Sequence, residues 1–291
     1  MRGRQARRQS ASFGSIMLSK LSFAVLLLAS SCAFGQPAQK TLKPATEKRT
    51  TSALPKTSPE LTKVILGSYY HPDSLELIEC DVSVDWGAFF QGLKVAVPEE
   101  KMQALKALKI HSRALRGKPA EVKFDWSAGA PATQDQIESG FKQMLSGFYQ
   151  MYWPMMAGPL IGPNDRLEEI TSLPDGGVKA FANSAGMKIH MQMNRNGSPM
   201  HYEFEGGMMK GVIDLSYVPS PTPMPGDLRR IDGMKIDEHI GESSFKLDVD
   251  VDYQDQSGFA IPHDVTFAML GAYTFKFQFA GCTASAVGIS Q

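Results

Sequence analysis

Cysteine is scarce: the chain has three in 291 residues. That excludes a disulfide-dense miniprotein, and no C-x-x-C spacing is present to hold zinc or exchange disulfides. Charge of one sign is lacking as well, since 30 Lys+Arg stand against 30 Asp+Glu. A general nucleic-acid binder would be basic, so no nucleic-acid partner is expected. No unbroken apolar run reaches the roughly 20 residues of a membrane-spanning helix. There is no G-x-S-x-G, H-E-x-x-H, P-loop or G-x-G-x-x-G, so the familiar hydrolase, zinc-protease and nucleotide sites are not indicated. No cofactor or metal follows from the sequence, and an enzyme is not expected. Apolar residues make up 43% and charged residues 21%, the composition of a folded globular chain.

The amino-terminal residues read as an address. Arg2, Arg4, Arg7, Arg8 and Lys20 are the only charges in residues 1–35. Leu21–Ala29 is an apolar core of nine residues, and Ala33-Phe34-Gly35 places small residues before Gln36. That is the layout of a secretory signal peptide over residues 1–35. Met17 offers a second start, and Cys32 a site of lipidation that would anchor the chain to an outer membrane. Otherwise the product is periplasmic or secreted. Loss of residues 1–35 removes five positive and no negative charges, leaving 25 against 30, a net −5. Residues 36–56 hold three prolines and five basic residues and read as a flexible linker. Residues 57–291 are then one α+β domain. Cys80 and Cys282 remain, and in an oxidising compartment they form one disulfide or stay as buried thiols.

Periodicity supplies the elements. Ser58-Pro59-Glu60 opens a helix to about Tyr70, with Ser58 as cap. Cys80, Val82, Val84 and Trp86 alternate as a half-buried strand. A short helix covers Pro98–Ala107, and a hairpin joins Lys109–Leu115 to Glu121–Trp126. Thr133 and Gln136 form a capping box. After it Ile137, Phe141, Met144, Leu145, Phe148, Tyr152 and Met155 recur at helical spacing. From Gln143 to Pro163 the chain has no charge, which suits a helix laid across a sheet or touching a membrane surface.

Beyond Leu167 the pattern is almost all β. Asn196-Gly197 marks a two-residue hairpin turn, which sets Met193 opposite Met200, Met191 opposite Tyr202 and Ile189 opposite Phe204. The other face then pairs Gln192 with His201, His190 with Glu203 and Lys188 with Glu205, so both faces agree chemically. Phe245–Tyr253 alternates, Ile261-Pro262 opens the next strand, and Gly271 turns it. Tyr273, Phe275, Phe277 and Phe279 line one face of the last strand. The whole predicts roughly ten strands in a curved antiparallel, half-barrel-like sheet, with two or three helices covering its apolar face.

Three chemical readings fail on spacing. Asp248, Asp250 and Asp252 resemble a calcium loop, but Tyr253 and Phe259 stand where an EF-hand needs Gly and Glu. Six methionines lie between Met187 and Met209, yet the hairpin register turns Met191, Met193 and Met200 away from His190 and His201, against a copper site. His190 with Glu203 lacks the third partner of an acid–base site.

Val251–Phe267 (VDYQDQSGFAIPHDVTF) carries a resemblance. A strand ending in Tyr, a polar turn, Gly, an apolar residue, Pro and the next strand is similar to an element of periplasmic lipoprotein-carrier domains, the LolA-, LppX- and RseB-like proteins. The likeness covers 17 residues, and the order of signal peptide, helix, strands, covering helix and sheet follows the same plan. It implies a half-barrel holding acyl chains between sheet and helices, in a bacterial cell envelope, with no catalytic residues. The expected groove residues are Phe141, Phe148, Tyr152 and Met155 on the cover, with Met191, Met193, Tyr202, Phe204, Phe275 and Phe277 on the sheet. The expected function is a non-enzymatic binder of an acyl chain, lipid or lipidated protein. The alternative is a structural or protein-interaction domain of the envelope with a dry core. Ligand identity and oligomeric state are not encoded legibly.

Overall fold

The computed structural model describes residues 53–92, 94–127, 129, 134–162, 165–184, 186–219, 228–269 and 273–286. The signal peptide with Met17 and Cys32, most of the linker, Thr133 of the capping box and the Gly271 turn lie outside the described residues.

Among the described residues, twelve strands and four helices make a broadly α+β fold. The helices are α1 (Ser58–Leu66), α2 (Trp86–Gly92), α3 (Glu99–Ala107) and α4 (Gln134–Met155). The strands are β1 (Leu75–Val84), β2 (Lys109–Leu115), β3 (Glu121–Asp125), β4 (Leu167–Ser172), β5 (Val178–Ser184) and β6 (Met187–Met193). They continue as β7 (Pro199–Gly206), β8 (Met209–Pro219), β9 (Arg229–Ile240), β10 (Ser243–Gln256), β11 (Phe259–Met269) and β12 (Tyr273–Ala286). All belong to one open antiparallel sheet in the order β3-β2-β1-β12-β11-β10-β9-β8-β7-β6-β5-β4. The order is a meander from β4 to β12 to which β1, β2 and β3 add beyond the last strand. The chain therefore passes from one sheet edge, β3, to the other, β4, through α4. At 22 residues that helix is about 33 Å long, enough to cross much of the sheet.

Cys80 on β1 and Cys282 on β12 form a disulfide, with Cα atoms 4.2 Å apart. It sits where the β1–β12 ladder shifts register, between the Glu79↔Thr283 and Asp81↔Ala280 pairs.

Several local expectations are corrected. Helix α1 ends at Leu66, not Tyr70, and its cap position is Thr57. The Ser58 hydroxyl instead accepts from Leu167 N at 2.8 Å, tying the helix to β4. Trp86 does not continue β1 but opens α2, whose first turn is held by Asp85 accepting from Ala88 N at 2.9 Å. The β6–β7 register matches the expected pairs except the last, where Met193 faces Pro199. The turn is longer than two residues because the Asn194 side chain accepts from both Asn196 N and Ser198 N. Gly197 is needed there twice over. Its φ is +84°, and a Cβ would fall 2.4 Å from Val64 Cγ1, where α1 packs on the turn.

Candidate functional site

The apolar face of the sheet is a set of cross-strand rows fixed by register. One row runs Phe275–Phe267–Val249–Met234–Leu215, and every member is buried. Helix α4 lies over the β12 end of that row. Phe141 packs on Trp86 and Phe275, with ring centroids at 5.0 and 5.5 Å, and Phe277 lies at 6.4 Å. Phe148 packs on Phe267 and Phe279 at 5.8 and 5.6 Å. The Tyr149 hydroxyl meets Ser112 Oγ on β2 at 3.1 Å. The Tyr152 hydroxyl donates to Ala260 O at 3.5 Å. Burial raises both tyrosines above their ordinary range.

Five of the expected groove residues are thus brought together, namely Phe141, Phe148, Tyr152, Phe275 and Phe277. They are buried mainly against other rings of this same layer. Ring contacts from α4 reach β3, β11 and β12 on the sheet. Met155, near the end of α4, is half-buried.

The other expected sheet residues lie farther along. Two further rows cross β5 to β10. One is Ala180–Met191–Tyr202–Ile213–Ile236–Leu247, and the next is Ala182–Ile189–Phe204–Gly211–Glu238–Phe245. Met191 and Met193 are buried, and so are Tyr202 and Phe204. Ile189, Ile213 and Ile236, and Ile240 at the end of β9, are only half-buried. The Phe204 ring lies across Gly211, where a Cβ would come within 2.6 Å of it. The Tyr202 hydroxyl is buried and reaches no hydrogen-bond partner among the described residues. Glu238 is 2% exposed in the middle of the second row.

The polar face carries the charges. His190 and Glu203 are register neighbours, but the His190 ring lies on Phe181 at 5.1 Å and Glu203 meets His201 at 3.3 Å. His201 Nδ1 is also 2.6 Å from Asp214. His111 lies between Asp81 and Glu79 at 3.0 and 2.9 Å, and hydrogen bonds to these two carboxylates raise its pKa. A shallow cavity of about 220 Å³ is lined by Asp214, Ser216, Lys235, Asp248 and Asp250, among others. Among the described residues no group of three or more His, Cys, Asp or Glu could hold a metal. No described helix is long and apolar enough to cross a membrane.

The half-buried isoleucines of β8 and β9 escaped the sequence reading, and Arg230 did too. Strand β9 reads poorly because Asp232 is an extra residue in the ladder, which shifts register between Ser216/Gly233 and Tyr217/Ile231. The apolar spacing across it is therefore three residues, Ile231 to Met234, and not two. No family model, curated protein or solved structure matches the chain.

Proposed function

We propose that this chain is an exported, non-enzymatic carrier that holds an acyl chain, a lipid or a lipidated protein against the apolar face of a half-barrel-like sheet. The observation that carries the reading is the contrast between the two parts of that face. Under α4 the face is filled by the protein's own rings. Across β6 to β9 it continues as aliphatic side chains that are only half-buried, Ile189, Ile213, Ile236 and Ile240. An apolar stripe of this kind on a large sheet gains by acquiring a cover. A chain laid along it contributes about 0.8 kcal/mol per methylene buried. Met191, Met193, Tyr202 and Phe204 border the stripe, and soft Met side chains adapt to tails of different length. The ring layer of Phe141, Phe148, Tyr152, Phe275 and Phe277 forms the wall against which the ligand lies, with Met155 at its rim. The disulfide is compatible with an oxidising compartment such as a periplasm.

The competing reading is a dry structural or protein-interaction domain of the envelope, favoured by the dense ring packing under α4. Native mass spectrometry of the protein purified from its own envelope, followed by solvent extraction, separates the two. An added mass that extracts as lipid is the expected result. A bare mass overturns the carrier reading.

A further inference from the structure

The ladder between β9 and β10 ends at the Gly233↔Asp250 pair. Both strands continue past it, β9 back to Arg229 and β10 on to Gln256. Two tyrosines bridge the resulting gap. The Tyr253 hydroxyl donates to Ile231 O at 2.5 Å. Tyr70 donates its backbone N–H to Arg229 O at 2.7 Å, while its hydroxyl accepts from Ala260 N at 3.0 Å. Arg230 lies on β9 at this gap. It is 3% exposed, and its guanidinium carbon stands 4.8 Å from the centroid of the Tyr253 ring. Its Nε and Nη1 are buried and reach no hydrogen-bond partner among the described residues.

Arg116 gives the internal comparison. It is part-buried too, and stacks on Trp153 at 5.1 Å. Yet it donates to Leu75 O, Pro72 O and Ala157 O at 2.8 to 3.0 Å. This chain therefore satisfies a structural arginine with its own carbonyls. At Arg230 the guanidinium lies against the face of a ring, and Nε and Nη1 have no hydrogen-bond partner among the described residues. Asp232 and Asp255 act through space on Tyr253 and Tyr70, but they leave Nε and Nη1 unpartnered. A guanidinium is a permanent cation with five donors and no acceptor. Buried donors without acceptors are unfavourable, and an oxyanion is the group that satisfies them best.

We propose that Arg230 receives the anionic headgroup, carboxylate or phosphate, of the ligand whose tail lies on the apolar face. The proposal rests on the carrier reading for the tail and on Arg230 alone for the head. Ile231, the next residue, is buried opposite Tyr217, and β9 runs on from there to the half-buried Ile236 and Ile240 of the apolar stripe. The Tyr70 hydroxyl, an acceptor towards Ala260 N, keeps its own proton for the same headgroup.

The test compares binding of oleate with methyl oleate, which has the same tail and no charge, to the delipidated protein and to Arg230→Gln. The expected result is that the unaltered protein prefers oleate by about tenfold or more, the scale of a charged hydrogen bond. R230Q should lose that preference while still binding methyl oleate, which shows that the variant is folded. Arg230→Met serves if R230Q does not fold, since it keeps the stacked stem over Tyr253. Equal binding of acid and ester by the unaltered protein, or an oleate preference that survives in R230Q, overturns the headgroup assignment alone. Binding of neither compound overturns the carrier reading and the headgroup assignment with it. Inorganic phosphate separates the sources of the anion. If it raises the melting temperature as much as oleate does, and only when Arg230 is present, the site takes a free anion and the lipid-headgroup assignment falls.

Discussion

Phe148 and Ile213 face the same side of the sheet, yet they answer to different partners. Phe148 is buried among Tyr149, Tyr152, Phe267 and Phe279. Truncation to Ala should leave a cavity and lower stability by about 3–5 kcal/mol, read as a fall in the urea midpoint. Ile213 is half-buried, so Ile213→Asp should leave the midpoint nearly unchanged while abolishing the co-purified lipid mass. Loss of lipid with Phe148→Ala at unchanged stability, or its retention with Ile213→Asp, would count against that division of the face. His111 makes a pH statement at the same scale. Hydrogen bonds to the carboxylates of Asp81 and Glu79 raise its native pKa, so the folded state binds the proton more tightly than the unfolded chain does. The stability gained is fully present below the unfolded value of about 6.5 and is lost as pH rises through the raised native value. His71 is raised as well: burial lowers it, but the Asp73 carboxylate outweighs that, with the Leu66 carbonyl helping. Urea midpoints at pH 5.5 and 8.5 should therefore differ less in His111→Gln than in the unaltered protein, without becoming equal. An unchanged difference would show that His111 contributes nothing.

At the scale of elements, legibility followed phase. The β6–β7 hairpin could be read from Lys188–Glu205 to Gln192–His201, though not at its turn, because its alternation is regular there and a one-residue slip would turn Ile189, Met191, Tyr202 and Phe204 outward. Helix α4 could be read because its apolar spacing is sustained over many turns. Strand β9 could not, since Asp232 breaks its alternation, and α2 could not, since Trp86 falls in phase with Cys80, Val82 and Val84. The candidate site shows a deeper limit. Periodicity identified Phe141, Phe148, Phe275 and Phe277 as one apolar layer, but it reports that a side chain leaves water, not whether protein or ligand covers it. Register was needed to find the half-buried rows across β6 to β9. The sheet edges follow physical expectation: β3 is only five residues long, and β4 carries Glu168 and Glu169 beside a register shift. Short, charged or bulged edges resist pairing with other chains. The polar face carries a cost of its own in β10. Burial, then the neighbouring Asp248 and Asp232, raise the pKa of Asp250. A raised carboxyl favours the protonated form, so the ionised form opposes folding near neutral pH. Asp250→Asn should raise the urea midpoint at pH 7, and the gain should shrink as pH falls through the raised value. A lower midpoint at pH 7 would instead mean that the carboxylate makes a favourable contact.

The whole molecule depends on a join between the two ends of its sheet sequence. Strands β1, β2 and β3 enter the sheet only through the β1–β12 ladder, and β12 is the last strand of the meander. Every contact in that ladder closes a long loop, which is entropically unfavourable until both partners are folded. The Cys80–Cys282 disulfide crosses this join, with a sequence separation of 202. In the chain-entropy view a cross-link of that span stabilises by about 5 kcal/mol, acting on the unfolded chain and leaving native contacts alone. Three consequences follow from that location. Cys80→Ser with Cys282→Ser should lower the urea midpoint strongly while keeping the β-sheet signal in dilute buffer. Hydrogen exchange should then accelerate most in β1, β2 and β3, which lose their tether, and least in β7 to β10, which form a continuous meander without it. Lipid retention should persist in the oxidised protein and fall in the double variant, because the ring wall under α4 draws Phe275, Phe277 and Phe279 from the same β12 that holds Cys282. Uniform acceleration across all twelve strands would show instead that the sheet opens as one cooperative unit. The disulfide would then stabilise the molecule without marking where it comes apart.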